Sequence, residues 1–282
     1  MTAMHHPHPP DSGAGTAYAR RELGRPYPAA PERLPGETLT AGRYQVRFAR
    51  SVEDLDAIER LRFQIFNLEL GEGLDSAFAS GRDHDDLDPH FHHLMIVCRT
   101  TDEVVGTYRL QTAEMAAEGA GFYSAAEFDL SGLPEEFVRQ AVEVGRACVA
   151  KGHRNGRVLN LLWRGLALYL VHNEKRYLFG CCSLTSQDTA LGVATMEYLL
   201  HAGHGHPTLL APPLPSLSCA DADPAAVAAR SAHIPPLFAS YLALGAKVIG
   251  PPAIDRQFKT IDFLVALDVA SLDEHSYRFF FR

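Results

Sequence analysis

The sequence predicts an α/β fold in which helices flank a mixed central sheet. Two strand-like runs separated by a short polar turn indicate an antiparallel hairpin in the first half of the chain. In the second half, strand-like and helical segments alternate, which is the order expected when helices cover the faces of a sheet. No internal repeat and no Gly/Ser linker divides the body of the chain. We therefore predict a single domain.

The first 42 residues are rich in Pro, Gly, Ala, His and Arg and show no periodicity. This composition is typical of a flexible tail. We therefore predict a disordered tail over residues 1–42 and the folded domain over residues 43–282. His5, His6 and His8 lie in the tail and can bind a metal, although histidines in such a segment are more often incidental.

The predicted elements begin with residues 44–49, which alternate between apolar and polar as a half-buried strand does. Ser51 and Asp54 then form a helix N-terminal signal. The apolar residues that follow recur at helical spacing and are Leu55, Ile58, Leu61, Ile65 and Phe66. After a loop rich in Gly and Asp, residues 93–99 and 104–112 form the two strands of the predicted hairpin.

The second half of the chain contains the alternating strands and helices, together with one Pro-rich loop. In order, they are a strand at 142–150, a helix at 158–173, a strand at 177–184, a helix at 190–201, a loop at 205–224, a helix at 236–244 and strands at 247–250 and 260–269. Together with the hairpin, these segments supply enough strands for a single mixed sheet.

Composition and charge restrict the class of protein. The formal net charge of −8 argues against general nucleic-acid binding, which needs a basic surface. The five cysteines lack CxxC spacing and lie mostly in apolar runs, which favours reduced thiols in a cytosolic protein. No run of 18 apolar residues and no signal-peptide pattern occurs. We therefore predict a cytoplasmic protein, with peripheral contact to the inner membrane left open.

Two charged residues, Glu143 and Arg146, stand in an otherwise apolar strand. Charges in such a strand are either paired or functional. Residues three apart in a strand point to opposite faces, so these two are not expected to pair with each other unless a bulge intervenes. One hypothesis is therefore two separate buried ion pairs. The candidate partners are Asp85, Asp86, Asp88 and Arg109.

The functional hypothesis makes Glu143 a general base beside an amine substrate. An amine arrives protonated and must lose a proton before it can attack a carbonyl carbon. Partial burial would raise the pKa of Glu143 toward the working range. Arg109 and Arg146 would then bind a carboxylate of the acceptor, because the guanidinium fork matches that group.

Basic residues follow the Glu143 strand, where the chain enters a predicted helix. They are Lys151, His153, Arg154, Arg157 and Arg164. Positive charge and glycine before a helix favour phosphate binding, although a solvated turn explains the pattern equally well. This local basic patch in an acidic protein can also receive an acidic partner protein.

Two further chemistries receive less support. Cys148 can act as a nucleophile, but a cysteine buried in a strand is usually inert. His90, His92 and His93 lie near aspartates, but their spacing matches no metal motif and alternation puts His92 and His93 on opposite faces. We therefore predict no metal site.

Several segments resemble the ornithine N-acyltransferases of ornithine-lipid synthesis, over the chain from about Tyr44 to the end. The segments that carry the resemblance are 85–88 (DDLD), 105–110 (VGTYRL), 121–124 (GFYS), 143–149 (EVGRACV), 162–165 (LWRG) and 178–183 (LFGCCS). The family is similar in fold to acyl-homoserine-lactone synthases and N-acyl amino acid synthases. The resemblance therefore implies a GNAT-like fold.

The resemblance also implies the reaction and its participants. A fatty acyl group, 3-hydroxylated in this family, would move from an acyl carrier protein thioester to the α-amine of ornithine, giving a lyso-ornithine lipid with no bound cofactor. The residues that match the shared substrate-binding pattern are Arg62, Phe66, Asp85, Asp88 and Arg109, and the catalytic positions fall on Glu143 and Arg146. The basic residues after the Glu143 strand would dock the pantetheine phosphate and the carrier protein.

Leu87 and the Phe91–His92 pair depart from the family pattern, which leaves the acceptor open. One alternative is a long-chain N-acyl amino acid synthase with another acceptor. A second is an autoinducer synthase of the acyl-homoserine-lactone type, and a third is a non-catalytic protein that binds acyl chains or carrier protein.

Overall fold

A nine-stranded sheet organises the part of the chain that the computed structural model describes, residues 27–282. The strands are β1 (Leu39–Ala41), β2 (Tyr44–Phe48), β3 (His92–Cys98), β4 (Glu103–Thr112), β5 (Ala141–Val149), β6 (Tyr177–Leu184), β7 (Lys247–Val248), β8 (Ala253–Asp255) and β9 (Thr260–Asp268). Their order is β1-β2-β3-β4-β5-β6-β9-β7, and β8 also pairs with β9. Strands β5 and β6 run parallel, whereas the other neighbours are antiparallel. The predicted mixed sheet is therefore confirmed.

Helices cover the sheet and make the crossover between its two parallel strands. They are α1 (Val52–Arg62), α2 (Ala77–Ser80), α3 (Ala113–Glu118), α4 (Glu135–Arg139), α5 (Gly156–His172), α6 (Thr189–His201), α7 (Pro224–Ala228), α8 (Pro236–Ala243) and α9 (Glu274–Phe281). A π-helical segment, Phe63–Glu69, continues α1. None of the helices within residues 27–282 has both the length and the apolar character needed to cross a membrane.

The main core lies between α5 and strands β2 to β4. Apolar residues of α5, among them Leu161 and Leu162, pack there against the sheet. Gly165 allows the close approach, because a Cβ at this position would lie 2.6 Å from Leu94 Cδ1. The helix starts at Asn155, whose side chain accepts hydrogen bonds from the backbone N–H groups of the first helical turn. Packing against the core therefore fixes the position of α5, whose first turn follows the end of β5.

The segments predicted by periodicity correspond closely to the observed ones. The hairpin, the strand at 177–184 and the helix after Ser51 are confirmed, and Ser51 accepts a hydrogen bond from Asp54 N. Seven shorter elements were not predicted, namely β1, α2, α3, α4, α7, α9 and β8. Each is too short to show a clear period in the sequence.

Part of the predicted tail differs from the expectation of disorder. The predicted boundary is residue 42, yet β1 pairs with β2, Leu34 lies in the core and the Ala29 carbonyl accepts a 2.7 Å hydrogen bond from His92 Nε2. These contacts join residues 29–41 to the domain because the sheet edge and the buried His92 offer them partners. Residues 1–26, including the three tail histidines, lie outside the described residues.

Candidate active site

The centre of the sheet opens between β5 and β6. These strands are paired at Ala141–Glu143 with Tyr177–Phe179, although β5 continues to Val149 and β6 to Leu184. A cavity of about 360 Å³ lies along the diverging parts of the two strands. Its walls include residues of both strands, from Val144 to Ala147 and from Gly180 to Ser183. The two strands are not paired with each other along this gap.

A β-bulge in β5 shapes this opening. Thr107 pairs with Cys148 and Arg109 pairs with Gly145, so two residues of β5 stand opposite one residue of β4. Arg146, one of the two β5 residues in the bulge, has a φ of 50°, which is a strained conformation for a residue with a side chain. The bulge brings Glu143 and Arg146 to the same cavity, although regular alternation would separate them.

The cavity has an apolar part and a polar part. Apolar side chains from α5, α8, α9 and β9 line the first part, namely Trp163, Leu166, Ala167, Leu170, Leu237, Phe238, Tyr241, Val265, Leu267, Phe280 and Phe281. Polar side chains line the second part, namely Glu72, Arg109, Tyr123, Glu143, Arg146, Thr185, Thr260 and Asp262. An elongated apolar ligand with a polar reactive end matches this division.

Glu143 lines the cavity and is only 3% exposed. Its carboxylate accepts hydrogen bonds from Tyr123 N at 2.7 Å, from Ser124 N at 2.8 Å and from the Ser124 hydroxyl. Burial raises the pKa of Glu143, and the hydrogen bonds from Ser124 and Tyr123 offset only part of this increase. Glu143 is thus a fixed carboxylate with increased basicity, as a general base requires.

A balanced set of charges, here called the arginine–aspartate network, lies beside Glu143. Its members are Arg62, Arg109, Arg146, Asp83, Asp85 and Asp88. Arg62 donates to both Asp88 oxygens at 2.7 Å and to Asp83 at 2.9 Å, and it is fully buried. Burial alone would raise the pKa of Asp88, but the Arg62 and Arg109 charges outweigh it and hold this pKa well below its usual range.

The predicted site residues fall into two groups, those that line the cavity and those that do not. Phe66 and Arg109 line the cavity together with Glu143 and Arg146. Arg62, Asp85 and Asp88 do not line it. Asp85 and Asp88 bind the cavity-lining Arg109, and Arg62 binds Asp88. The structure thus brings all seven predicted residues into one region.

Arg146 is held in place by contacts on both sides of its guanidinium group. The group lies 4.5 Å from the ring centroid of Phe66 and 4.3 Å from that of Phe258. It also forms a salt bridge with Asp83, a partner that sequence analysis did not propose. Its Nε is buried without a hydrogen-bond partner among residues 27–282, so this donor remains available to a ligand.

The hypothesis of two simple buried ion pairs is therefore only partly realised. Arg146 pairs with Asp83 instead of Asp85, Asp86 or Asp88, and Glu143 is bonded to the segment Tyr123–Ser124. The reason is the bulge, which redirects Arg146. Sequence alternation cannot locate such a bulge without the partner strand.

Four of the predicted basic residues lie around the N-terminus of α5, whereas Arg164 lies in the middle of this helix. Lys151, Arg154 and Arg157 are exposed, and His153 and Arg164 are partly buried. Arg154 forms a salt bridge of 2.6 Å with Glu69, and His153 Nδ1 lies 3.0 Å from the Tyr44 hydroxyl. The Asn155 side chain occupies the amides of Arg157 and Val158. A phosphate would therefore be bound there by side chains and not by these two amides.

Cys148 and the histidines near β3 have structural surroundings. Burial raises the pKa of the Cys148 thiol to about 12, and this residue does not line the cavity. His92 bonds to Tyr169 and Ala29, whereas His93 bonds to the Asp88 carbonyl, so the two rings face opposite sides of β3. Burial lowers the pKa of both histidines to about 4.

Sequence analysis missed a second set of buried acids, Glu127, Asp255 and Asp262, here called the acidic end. Atoms of Glu127, Asp262 and Cys181 that could ligate a metal lie within 4.8 Å of one another. A signal for Asp262 was present, because it stands in the apolar run of β9 much as Glu143 stands in β5.

Comparison with known proteins agrees with this geometry. A family profile described as an acetyltransferase (GNAT) domain matches residues 61–164. An L-ornithine Nα-acyltransferase of Rhodobacter capsulatus is 33% identical over 85% of this chain and 95% of the relative. Another, from Agrobacterium fabrum, is 32% identical over 82% of this chain and 83% of the relative.

Among solved structures, the N-acyl amino acid synthase FeeM from uncultured soil microbes is similar with a TM-score of 0.48 and 14% identity. This similarity covers 81% of this chain and 92% of FeeM. The alignment with each of the two sequence relatives covers more than four-fifths of this chain. The chain is therefore an N-acyltransferase with a GNAT-like fold and belongs to the L-ornithine Nα-acyltransferase family.

Proposed function

We propose that the protein transfers a fatty acyl group from an acyl carrier protein thioester to the α-amine of ornithine. The cavity between β5 and β6 carries this proposal, because it joins an apolar chamber to Glu143 and to the free Nε donor of Arg146. The names of the relatives, L-ornithine Nα-acyltransferases, support ornithine as the acceptor.

On the acceptor side, the α-carboxylate binds Arg146 and Arg109, and the α-ammonium lies near Glu143. Arg146 is fixed by Phe66 and Phe258, so little conformational entropy is lost when it binds the carboxylate. Glu143, acting through a water molecule, removes a proton from the ammonium. Its raised pKa suits this step, since burial disfavours the carboxylate form.

On the donor side, the pantetheine arm lies between the diverging strands and the acyl chain fills the apolar chamber. The free amine attacks the thioester carbonyl, a C–N bond forms, the C–S bond breaks and the pantetheine thiol leaves with a proton. Backbone N–H groups along the gap stabilise the oxyanion. A 3-hydroxyacyl chain would give a lyso-ornithine lipid.

The carrier protein docks on the basic residues around the start of α5. Lys151 and Arg157 are exposed there, and neither makes a salt bridge within residues 27–282 as Arg154 does, so they are the principal contacts for the pantetheine phosphate and the acidic carrier surface. The net charge of −8 makes such a local patch necessary for this partner.

The test is a reaction of the purified protein with acyl carrier protein loaded with a 3-hydroxyacyl chain, with ornithine as acceptor and mass spectrometry as readout. We expect acyl-ornithine from the wild type, and a decrease of about 10²–10⁴-fold in kcat for Glu143→Gln. Glu118→Gln, which removes an exposed carboxylate on α3, is the matched control. Near-normal turnover of Glu143→Gln would refute the base assignment.

Other products would point to the alternatives. Acylation of a different amino acid would indicate an N-acyl amino acid synthase. A lactone that forms only with S-adenosylmethionine would indicate an autoinducer synthase. Tight acyl binding without product from any amine would indicate a non-catalytic binder.

A further inference from the structure

The acidic end concentrates negative charge in the interior. Glu127, Asp255 and Asp262 are 4%, 8% and 3% exposed. No lysine, arginine or histidine within residues 27–282 forms a salt bridge with any of the three. Burying carboxylates without a cation is unfavourable, so a native cluster of this kind indicates a missing positive partner.

Two oxygens of the cluster are also without hydrogen bonds. Glu127 Oε1 and Asp262 Oδ1 are buried and have no hydrogen-bond partner among residues 27–282. Such atoms are rare in native proteins and call for a ligand or another explanation. Asp262 lies in the wall of the cavity, whereas Glu127 lies behind it. Of the two side chains, Asp262 is therefore the one that a ligand in the cavity can contact.

The two carboxyl groups differ in charge. Burial and the neighbouring Asp262 charge raise the pKa of Glu127 to about 10, so Glu127 keeps its proton at neutral pH. Burial also raises the pKa of Asp262, and the hydrogen bond from the Thr260 hydroxyl to its other oxygen, Oδ2, offsets only part of this increase. The negative charge of the pair accordingly belongs to Asp262, the residue that faces the cavity.

Glu143 and the acidic end lie on the same face of the sheet. Glu143 pairs with Phe179, and Asp262 pairs with Ser183, four residues further along β6. Residues separated by an even number point to the same face of a strand. Tyr123 connects the two sites, because its N–H donates to Glu143 at 2.7 Å and its hydroxyl donates to Asp255 at 3.4 Å.

We propose that Asp262 determines acceptor specificity by binding the terminal ammonium of a basic amino acid whose α-amine lies at Glu143. This inference rests on the proposed acyl transfer and adds the residue that selects the acceptor. The ligand is a primary ammonium on an amino-acid side chain, which supplies both the missing charge and the missing donors. An acceptor with a neutral side chain leaves the Asp262 charge unpaired and is selected against.

The experiment compares ornithine with norvaline, which has the same carbon chain without the terminal amine. The donor is acyl carrier protein loaded with a 3-hydroxyacyl chain. We compare kcat/KM for the two acceptors in the wild type, in Asp262→Asn and in Asp221→Asn, a control at an exposed aspartate. We expect Asp262→Asn to lower the ornithine/norvaline ratio by about 10–100-fold, the worth of a charged hydrogen bond, mainly through KM. Asp221→Asn should keep the wild-type ratio.

Two results would overturn the inference. An unchanged ratio in Asp262→Asn would do so, and so would a wild type that uses norvaline as well as ornithine, a measurement that needs no variant. If EDTA abolishes wild-type turnover and Mg²⁺ or Zn²⁺ restores it, the acidic end holds a metal ion and the ammonium assignment is wrong. A wild type that acylates neither acceptor refutes the proposed function itself, which distinguishes the two failures.

Glu127→Gln tests which carboxyl carries the charge. This variant keeps the Asp262 charge and replaces a protonated carboxyl by a neutral amide, so it should lower the ornithine/norvaline ratio less than Asp262→Asn does. The opposite order would show that Glu127 carries the charge and would overturn the assignment to Asp262.

Discussion

Two buried charged regions flank Glu143, and they differ in the balance between positive and negative groups. The arginine–aspartate network pairs three guanidinium groups with three carboxylates through salt bridges of 2.6–3.0 Å and one shorter contact. The acidic end has three carboxyl groups and no cation among the described residues. A balanced network can position side chains without a ligand. An unbalanced cluster reaches its lowest energy when a cation binds.

The largest effect is expected when one carboxylate charge is removed from each region. The two variants should differ strongly in the free energy of unfolding that they lose. Asp88→Asn removes the charge that pairs with the buried guanidinium group of Arg62. We therefore expect a loss of about 3–5 kcal/mol in the free energy of unfolding. Asp262→Asn removes an uncompensated charge and should destabilise the apo protein much less. Urea unfolding of both variants measures this. Equal destabilisation would show that Asp262 has a partner within the fold.

The pH dependence of stability sharpens the comparison. The pKa of Glu127 is raised from 4.5 to about 10, so between these values the folded protein binds more protons than the unfolded chain. Stability therefore falls as pH rises, by up to about 1.4 kcal/mol per pH unit. From pH 6 to pH 8, Glu127→Gln should lose about 3 kcal/mol less than the wild type. The free energy of unfolding of both proteins is measured in denaturant at each pH. An equal change for the wild type and Glu127→Gln would show that Glu127 is not protonated in the folded state.

The smallest effect is expected at the exposed charges near α5. Lys151→Ala combined with Arg157→Ala should raise KM for the acyl carrier protein several-fold at low salt and little at high salt, because exposed charges are screened. The KM for ornithine should stay within twofold. Steady-state kinetics at two ionic strengths measures both. A salt-independent change in the ornithine KM would show that these residues act on the acceptor.

Much of the framework was predictable because the signals are local. A short apolar run between polar flanks located the strand at 177–184, and a Ser51 cap located the start of α1. Charges in an apolar strand identified Glu143 and Arg146, and the resemblance to a family identified Arg62, Phe66 and Arg109. All seven residues predicted for substrate binding and catalysis lie in one region, although their individual roles remain a proposal.

Contacts between distant parts of the chain were not predictable from the same signals. Asp83 meets Arg146 from 63 residues away, and Tyr123 lies 132 residues from Asp255. Glu127 and Asp262 are also far apart in sequence and meet only because the segment after α3 covers the face of β6 and β9.

The sequence by itself determined the order of strands and helices, the family and the charged residues of β5, since periodicity and motif are properties of neighbouring residues. Only the tertiary structure decided which way Arg146 points, which arginines reach the cavity and where an unpaired carboxylate faces it. Those outcomes depend on the β5 bulge and on cross-strand register, which are set by packing between segments that the sequence order keeps apart.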